Sequence, residues 1–222
     1  MGTDLYDLGR AGMGKRLKVG PCALCGATRP LTKEHVIPKS LYPVSKRGAW
    51  KPIIISACKE CNNGSADDDT HLRYVLLMAG ETSDAVREVW DGPVRRSFDQ
   101  PDGRRRAIDV FKLMKSVPDL PGDRYMIYPA NDERILRSIR KITRGLCHHH
   151  AIHGTVIRDD QVVSDVVRKP LSETLLQNMT FYGSVPEVLE YGVVTIPEAS
   201  LWRFKFYERT EFYSLVQLQP GD

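Results

Sequence analysis

Three short stretches decide how this chain folds: "CALC" (Cys22–Cys25), "KEHVIPKS" (Lys33–Ser40) and "CKECNN" (Cys58–Asn63). The middle one carries an adjacent acid and histidine, Glu34 and His35, inside a loop bounded by two CxxC pairs. A scaffold loop needs neither residue, whereas a hydrolytic site that must hold a metal ion and activate water can use both. Four thiolates can surround one zinc tetrahedrally and close it to solvent. Cys22 and Cys25 would form one knuckle and Cys58 and Cys61 the other, closing a loop of 32 residues. The fifth cysteine, Cys147, stands alone. An odd count, with no apolar leader in "MGTDLYDLGRAG", favours a metal over a disulfide framework. A pair of redox dithiols is the competing account, but no βαβ pattern surrounds the cysteines. A small strand-and-loop module buries little apolar area, so zinc would supply closing energy. Saturated by sulfur, it would leave no position for water, and any chemistry must arise elsewhere.

Working outward, "PCALCG" reads as a tight turn. "KEHVIPKS" reads as a short strand ended by Pro38, which cannot continue a ladder. "KPIIISAC" is a second short strand. A helix is expected from near Asp68 or Asp69, with Leu72, Val75, Leu76 and Ala79 on its apolar face, and a short piece can begin earlier, at Asn62. The order is turn, strand, strand, helix, with a metal joining both ends. Beyond it, Ser83 to Trp90 is helical and ended by "DGP", and residues 91–106 read as a basic hairpin or loop around "PDG". "AIDVFKLMKSV" fits strand or helix. "NDERILRSIRKITRGL" is the clearest helix, with Ile135, Ile139, Ile142 and Leu146 on one face. "GTVIRDDQVVSDVV" reads as short strands and "SETLLQNM" as a short helix after Ser172. "YGVVTI" and "LWRFKFYERTEFYSLVQL" read as strands, with "ERTE" as the turn of a hairpin. Trp202, Phe204 and Phe206 alternate as core residues.

The pattern C-x2-C … EHVIP … C-x2-CN resembles the zinc-knuckle branch of the HNH endonucleases, the ββα-metal nucleases, over about residues 20–75. The resemblance implies that Glu34 binds a catalytic divalent ion, Mg²⁺ or Mn²⁺, that Asn62 is its second protein ligand, and that His35 is the general base. It also implies a structural zinc on Cys22, Cys25, Cys58 and Cys61. These residue types suit the chemistry, since a carboxylate is a hard oxygen ligand and imidazole titrates near neutral pH. The family often has Asp where this chain has Glu34, and its middle residue near the second strand has no obvious counterpart in "GAWKPIIISA".

Charge is unevenly distributed. Residues 1–65 hold 11 Lys or Arg against 4 Asp or Glu, and the other 157 hold 21 against 24. A basic first quarter favours a polyanionic partner. Lys33, Lys39, Arg95, Arg96, Arg104, Arg105 and Arg106 are candidate substrate contacts, and Arg137, Arg140, Lys141 and Arg144 form a second basic run. "GRAGMGKR" lacks the Walker spacing and reads as an arm rather than a phosphate loop. "CHHHAIHG", with His148, His149, His150 and His153, reads chiefly as helix termination and packing, with a substrate- or DNA-facing surface and a metal tract as the alternatives. No apolar run has the length of a membrane span, so a cytoplasmic protein is expected.

The expected fold class is α+β: a ββα-metal (HNH) zinc-stapled module over 21–80, a basic arm at 1–20 and a mixed α+β body over 81–222. The expected function is metal-dependent endonucleolytic hydrolysis of nucleic-acid phosphodiester bonds, with DNA preferred over RNA on family grounds. The alternative is a non-catalytic zinc module that binds nucleic acid or protein. A homodimer or an accessory protein are further candidate partners.

Overall fold

A computed structural model describes residues 17–48, 51–79, 83–116, 126–129, 131–185 and 187–218. The class is α+β, with helices set against antiparallel sheets. "GRAGMGKR" and most of the basic arm lie outside the described residues. The last residues assigned to that arm already belong to a strand.

Three strands, β1 (Val19–Pro21), β2 (Thr28–His35) and β3 (Ile54–Cys58), form an antiparallel sheet in that order. Glu34 pairs with Ile55 and His35 with Ile54, so the ladder runs without interruption to the end of β2. There Pro38 opens a 3-10 turn at Lys39–Leu41. Helix α1 (Lys59–Asn63) starts directly after Cys58, three residues earlier than the sequence suggests, and α2 (Ala66–Ala79) comes next. Leu72, Val75 and Leu76 are buried as expected, and so are Tyr74 and Leu77, because α2 is covered on more than one side.

Helix α3 (Asp84–Val89), capped by Ser83, is not ended by "DGP". It runs on through a π-helical turn at Trp90–Val94 that absorbs Pro93, and then into α4 (Arg95–Ser97). A π-turn re-spaces the backbone bonds, which is how a helix carries a residue lacking an N–H. The "PDG" segment is likewise no hairpin. Pro101 is the first residue of α5 (Pro101–Leu113), where the missing N–H has no helical partner to lose. This also settles "AIDVFKLMKSV" as helix as far as Leu113, followed by β4 (Lys115–Ser116), which pairs with β5 (Met126–Ile127).

Helix α6 (Glu133–His149), capped by the Asp132 side chain, crosses the middle of the fold. Its Ile135, Ile139, Ile142 and Leu146 are buried. A five-stranded antiparallel sheet then forms in the order β6 (Val162–Val166), β10 (Thr210–Gln217), β9 (Ala199–Phe206), β8 (Leu189–Ile196), β7 (Thr180–Val185). Of the strands expected in "GTVIRDDQVVSDVV", only β6 forms, while β7 carries no reading from the sequence. Helix α7 (Glu173–Gln177) is capped by Ser172, as expected. Trp202, Phe204 and Phe206 alternate into the core and are fully buried. One continuous apolar cluster runs from Cys22, Leu24 and Val36 through α2 and α6 to Phe212 and Val216. Among the described residues no helix is long and apolar enough to cross a membrane.

Candidate functional site

The two CxxC pairs meet. The first is a turn in which Gly26 N–H donates to Cys22 O (2.8 Å), with Gly26 at φ +73°, a conformation glycine adopts without a Cβ clash. Ala23 N–H donates to Ser56 O (2.9 Å) and fixes this turn beside β3. The second pair spans the end of β3 and the first turn of α1. The four Sγ atoms of Cys22, Cys25, Cys58 and Cys61 lie within 4.8 Å of one another, and those of Cys25 and Cys58 are 3.9 Å apart. A zinc with Zn–S bonds of about 2.3 Å sets its sulfurs about 3.8 Å apart, so the cluster can hold that ion. The backbone N–H groups of Leu24 and Cys58 donate to Cys22 Sγ at 3.4 and 3.3 Å. Burial works to raise the Cys22 thiol, but these N–H groups prevail and lower it to about 7, which favours the ligating thiolate.

The clamp also sets where α1 lies. Asn62 Nδ2, directly after Cys61, donates to Thr32 Oγ1 (2.8 Å) and to Lys33 O (3.1 Å), so α1 rests against β2. Thr32 and Glu34 share one face of β2 by strand alternation, while Lys33 and His35 share the other. Glu34 is only 5% exposed. Its carboxylate meets a member of the second basic run: Lys141 Nζ, from α6, donates to Glu34 Oε1 at 2.8 Å. The same ammonium donates to Ser65 Oγ (2.8 Å) and Asp69 Oδ2 (2.5 Å), using all three of its protons. Ser138 Oγ holds the other oxygen of Asp69 at 3.0 Å. Burial opposes the Lys141 charge, but Asp69 and Glu34 outweigh it and keep the ammonium above the ordinary lysine range. At Glu34 burial prevails over Lys141 and pushes the carboxyl up, since one cation is shared between two carboxylates.

His35 is half-buried on the opposite face. Burial, and then the charge of Lys39, lower its pKa, so the imidazole is neutral at neutral pH. Lys33 and Lys39 are exposed. The other candidate contacts lie on α4 and α5, where Arg95, Arg96, Arg104 and Arg105 are exposed. Arg105 pairs with Asp102 and Arg106 with Asp67, at 3.3 and 2.8 Å.

The second basic run is engaged in ion pairs and hydrogen bonds within the chain. Arg137 forms a two-pronged pair with Asp68 at 2.8 and 3.0 Å, and Arg140 reaches Glu133 and Asp159. Arg144 donates to Ile157 O at 2.9 Å and also to Leu24 O in the first knuckle. These side chains join α6 to α2, to the knuckle and to the turn before β6. A cavity of about 290 Å³ lies alongside, bordered by Cys61, Ser65, Asp68, Arg137, Lys141 and Arg144.

Within the histidine tract His150 and His153 pack, while His148 and His149 are exposed. His150 stacks on Tyr182 with ring centroids 3.8 Å apart, and its Nε2 lies 3.1 Å from Tyr191 Oη. His153 Nε2 lies 3.0 Å from Ser200 Oγ. Cys147 is buried, and burial pushes its thiol up to about 12. Among the described residues the four-thiol cluster is the one group of three or more His, Cys, Asp or Glu side chains close enough to share a metal.

From sequence, Lys141 appears only as part of the second basic run and Asp69 only as a helix start, and neither they nor Ser65 carry a site role. The signal for Lys141 was there: Ser138, Lys141 and Gly145 recur at three- and four-residue spacing, a second stripe on α6 beside the apolar one, and all three are buried. No family model, curated protein or solved structure matches the chain.

Proposed function

We propose that this chain is a divalent-metal-dependent endonuclease of the HNH type, hydrolysing nucleic-acid phosphodiester bonds, with DNA preferred over RNA on family grounds. One observation carries the reading. The residue after the last cysteine of a zinc-competent clamp, Asn62, is bonded onto the strand face that Glu34 occupies, and the neighbouring His35 is neutral. Zinc would sit on the four thiolates and do no chemistry. Glu34, through a carboxylate oxygen, and Asn62, through its amide oxygen, would hold Mg²⁺ or Mn²⁺. That ion supplies neutralisation of charge developing on the phosphoryl group.

The remaining work belongs to the chain's own groups. His35 accepts the proton of the attacking water on a ring nitrogen, which requires the neutral form. Lys33 and Lys39, exposed near it, hold flanking phosphates. Lys39 would attract the substrate and, after burial, is the second influence that lowers the His35 pKa.

A second reading has its own support. Glu34 is already bonded to Lys141 and faces away from His35 across an uninterrupted strand, which favours a non-catalytic zinc module that binds nucleic acid through its exposed lysines. The deciding experiment is cleavage of single-stranded DNA, duplex DNA and RNA by wild type and His35→Ala, both folded and of equal zinc content, in Mg²⁺, Mn²⁺ or EDTA. Divalent-dependent cutting that the substitution abolishes establishes the nuclease. Salt-sensitive binding without cutting by either protein establishes the second reading.

A further inference from the structure

Arg73, on α2, is half-buried, and its Nε is the one buried side-chain nitrogen or oxygen among the described residues that meets no hydrogen-bond partner. The comparably sheltered Arg140, Arg144 and Arg203 each face at least one carboxylate. Arg73 faces none among the described residues. Its Cζ lies 5.5 Å from the centroid of the Tyr74 ring. The other groups that bear on its charge are Tyr207, from the turn between β9 and β10, and Arg106, from α5. Tyr207 is itself fixed, donating its hydroxyl to Leu41 O at 2.8 Å. Tyrosine hydroxyls are uncharged near neutral pH, so neither one neutralises the guanidinium, and Arg106 adds a second positive charge. Burial pushes the Arg73 pKa down, yet a guanidinium does not give up its proton in a protein. A sheltered cation without a counter-charge is costly, and so is an orphaned buried donor. An anion from outside the chain would remove both costs. The planar fork of a guanidinium matches phosphate oxygens two at a time, and the added charge of Arg106 favours an oxyanion that carries up to two negative charges.

We propose that Arg73 anchors a phosphate-binding site where α2 meets α5 and the β9–β10 turn, with Arg106 as its second cation. The ligand is a phosphate group, either free or in the backbone of a nucleic-acid strand. The inference does not rest on the nuclease reading, since it uses none of Glu34, His35 and Asn62.

The test is isothermal titration calorimetry of the zinc-loaded full chain, freed of excess metal, at constant ionic strength in chloride. The probes are inorganic phosphate and a short oligothymidylate without terminal phosphates. Wild type is expected to bind at least one of them. Arg73→Met keeps an apolar stem and removes the charge, and should weaken that binding about tenfold or more, as the loss of charge-assisted hydrogen bonds requires. Arg73→Lys keeps the charge without the planar fork and should weaken it by less. Variants are compared at wild-type zinc content and circular dichroism. A loss confined to inorganic phosphate assigns the site to a free phosphate; a loss on the oligonucleotide assigns it to the strand backbone. Affinity equal in wild type and Arg73→Met means an adventitious ion only and overturns the proposal, as does the absence of binding by wild type. If Arg73→Met does not fold, Arg73→Lys decides, and unchanged affinity for both probes overturns the proposal. Cleavage is scored separately. Binding that depends on Arg73 in a protein that does not cut leaves this site standing and defeats only the nuclease.

Discussion

At Gly145, α6 lies tight against Val36, in the segment that continues from β2. A Cβ added there would lie 2.8 and 2.9 Å from the two methyl carbons of Val36, a buried core residue. Two effects then oppose each other in Gly145→Ala: helix propensity favours alanine by about 1 kcal/mol, while overpacking costs about 1–3 kcal/mol. The clash is expected to win, leaving the variant about 1 kcal/mol less stable in urea unfolding. In a Val36→Ala background the same change should instead stabilise, and equal losses in both backgrounds would refute the contact. His35 gives a second prediction at this scale. A general base works deprotonated, so the cleavage rate should fall as pH drops through the His35 pKa. Burial and Lys39 both lower that pKa from the ordinary value near 6.5, so the acid limb belongs below it. Lys39→Gln removes one of the two causes and should move the limb upward in pH, though not past the free-histidine value. A pH–rate profile of both proteins reads this directly, and an unmoved limb would separate His35 from the rate.

Among the elements, the zinc clamp is the one whose loss has a local signature. Cys25 is the exposed member of the cluster, so Cys25→Ser removes a ligand with little change of packing. It should release zinc and strip hydrogen-exchange protection from β2, β3 and α1, where the metal would stand in for a core. Protection that survives zinc loss would leave the clamp without a structural role. The elements differ in how legible they were from sequence, for physical reasons. The knuckles, the β9–β10 hairpin and α6 are written in short-range signals: cysteine spacing, strict alternation through Trp202, Phe204 and Phe206, and apolar residues three and four apart. The run from Trp90 to Ser97 was misread because Pro93 ordinarily ends a helix, and nothing local announces the π-turn that carries the chain past it. The site divides in the same way. The four thiols and the opposite faces of Glu34 and His35 follow from spacing and strand period. The Lys141 contact does not, because it joins residues 107 positions apart and depends on how α6 crosses β2.

For the molecule as a whole, charge decides what can be read from a basic sequence. The excess over residues 1–65 invites a polyanion, but the α6 run, which looks equally inviting, is spent on Asp68, Glu133, Asp159, Glu34 and Asp69. Those pairs, with the continuous core from Cys22 to Val216, bind the cysteine module and the terminal sheet together. Thus two sets of cations should behave differently toward nucleic acid. Each phosphate neutralised by an exposed lysine releases about 0.9 counterion on duplex DNA. Replacing Lys33 and Lys39 together by Gln should therefore weaken binding at low salt and reduce the slope of log K against log salt by up to about 2. Arg137→Gln should leave that slope unchanged, because its guanidinium already faces Asp68 through two bonds. Its effect belongs to stability instead, and a modest one of about 0–1 kcal/mol, because the guanidinium is nearly half exposed. Fluorescence anisotropy with a short duplex across a salt series distinguishes the two. A slope that responds to Arg137 and ignores Lys33 and Lys39 would move the nucleic-acid surface from the His35 face of β2 to the α6 side, which Glu34 faces, and would separate His35 from the substrate.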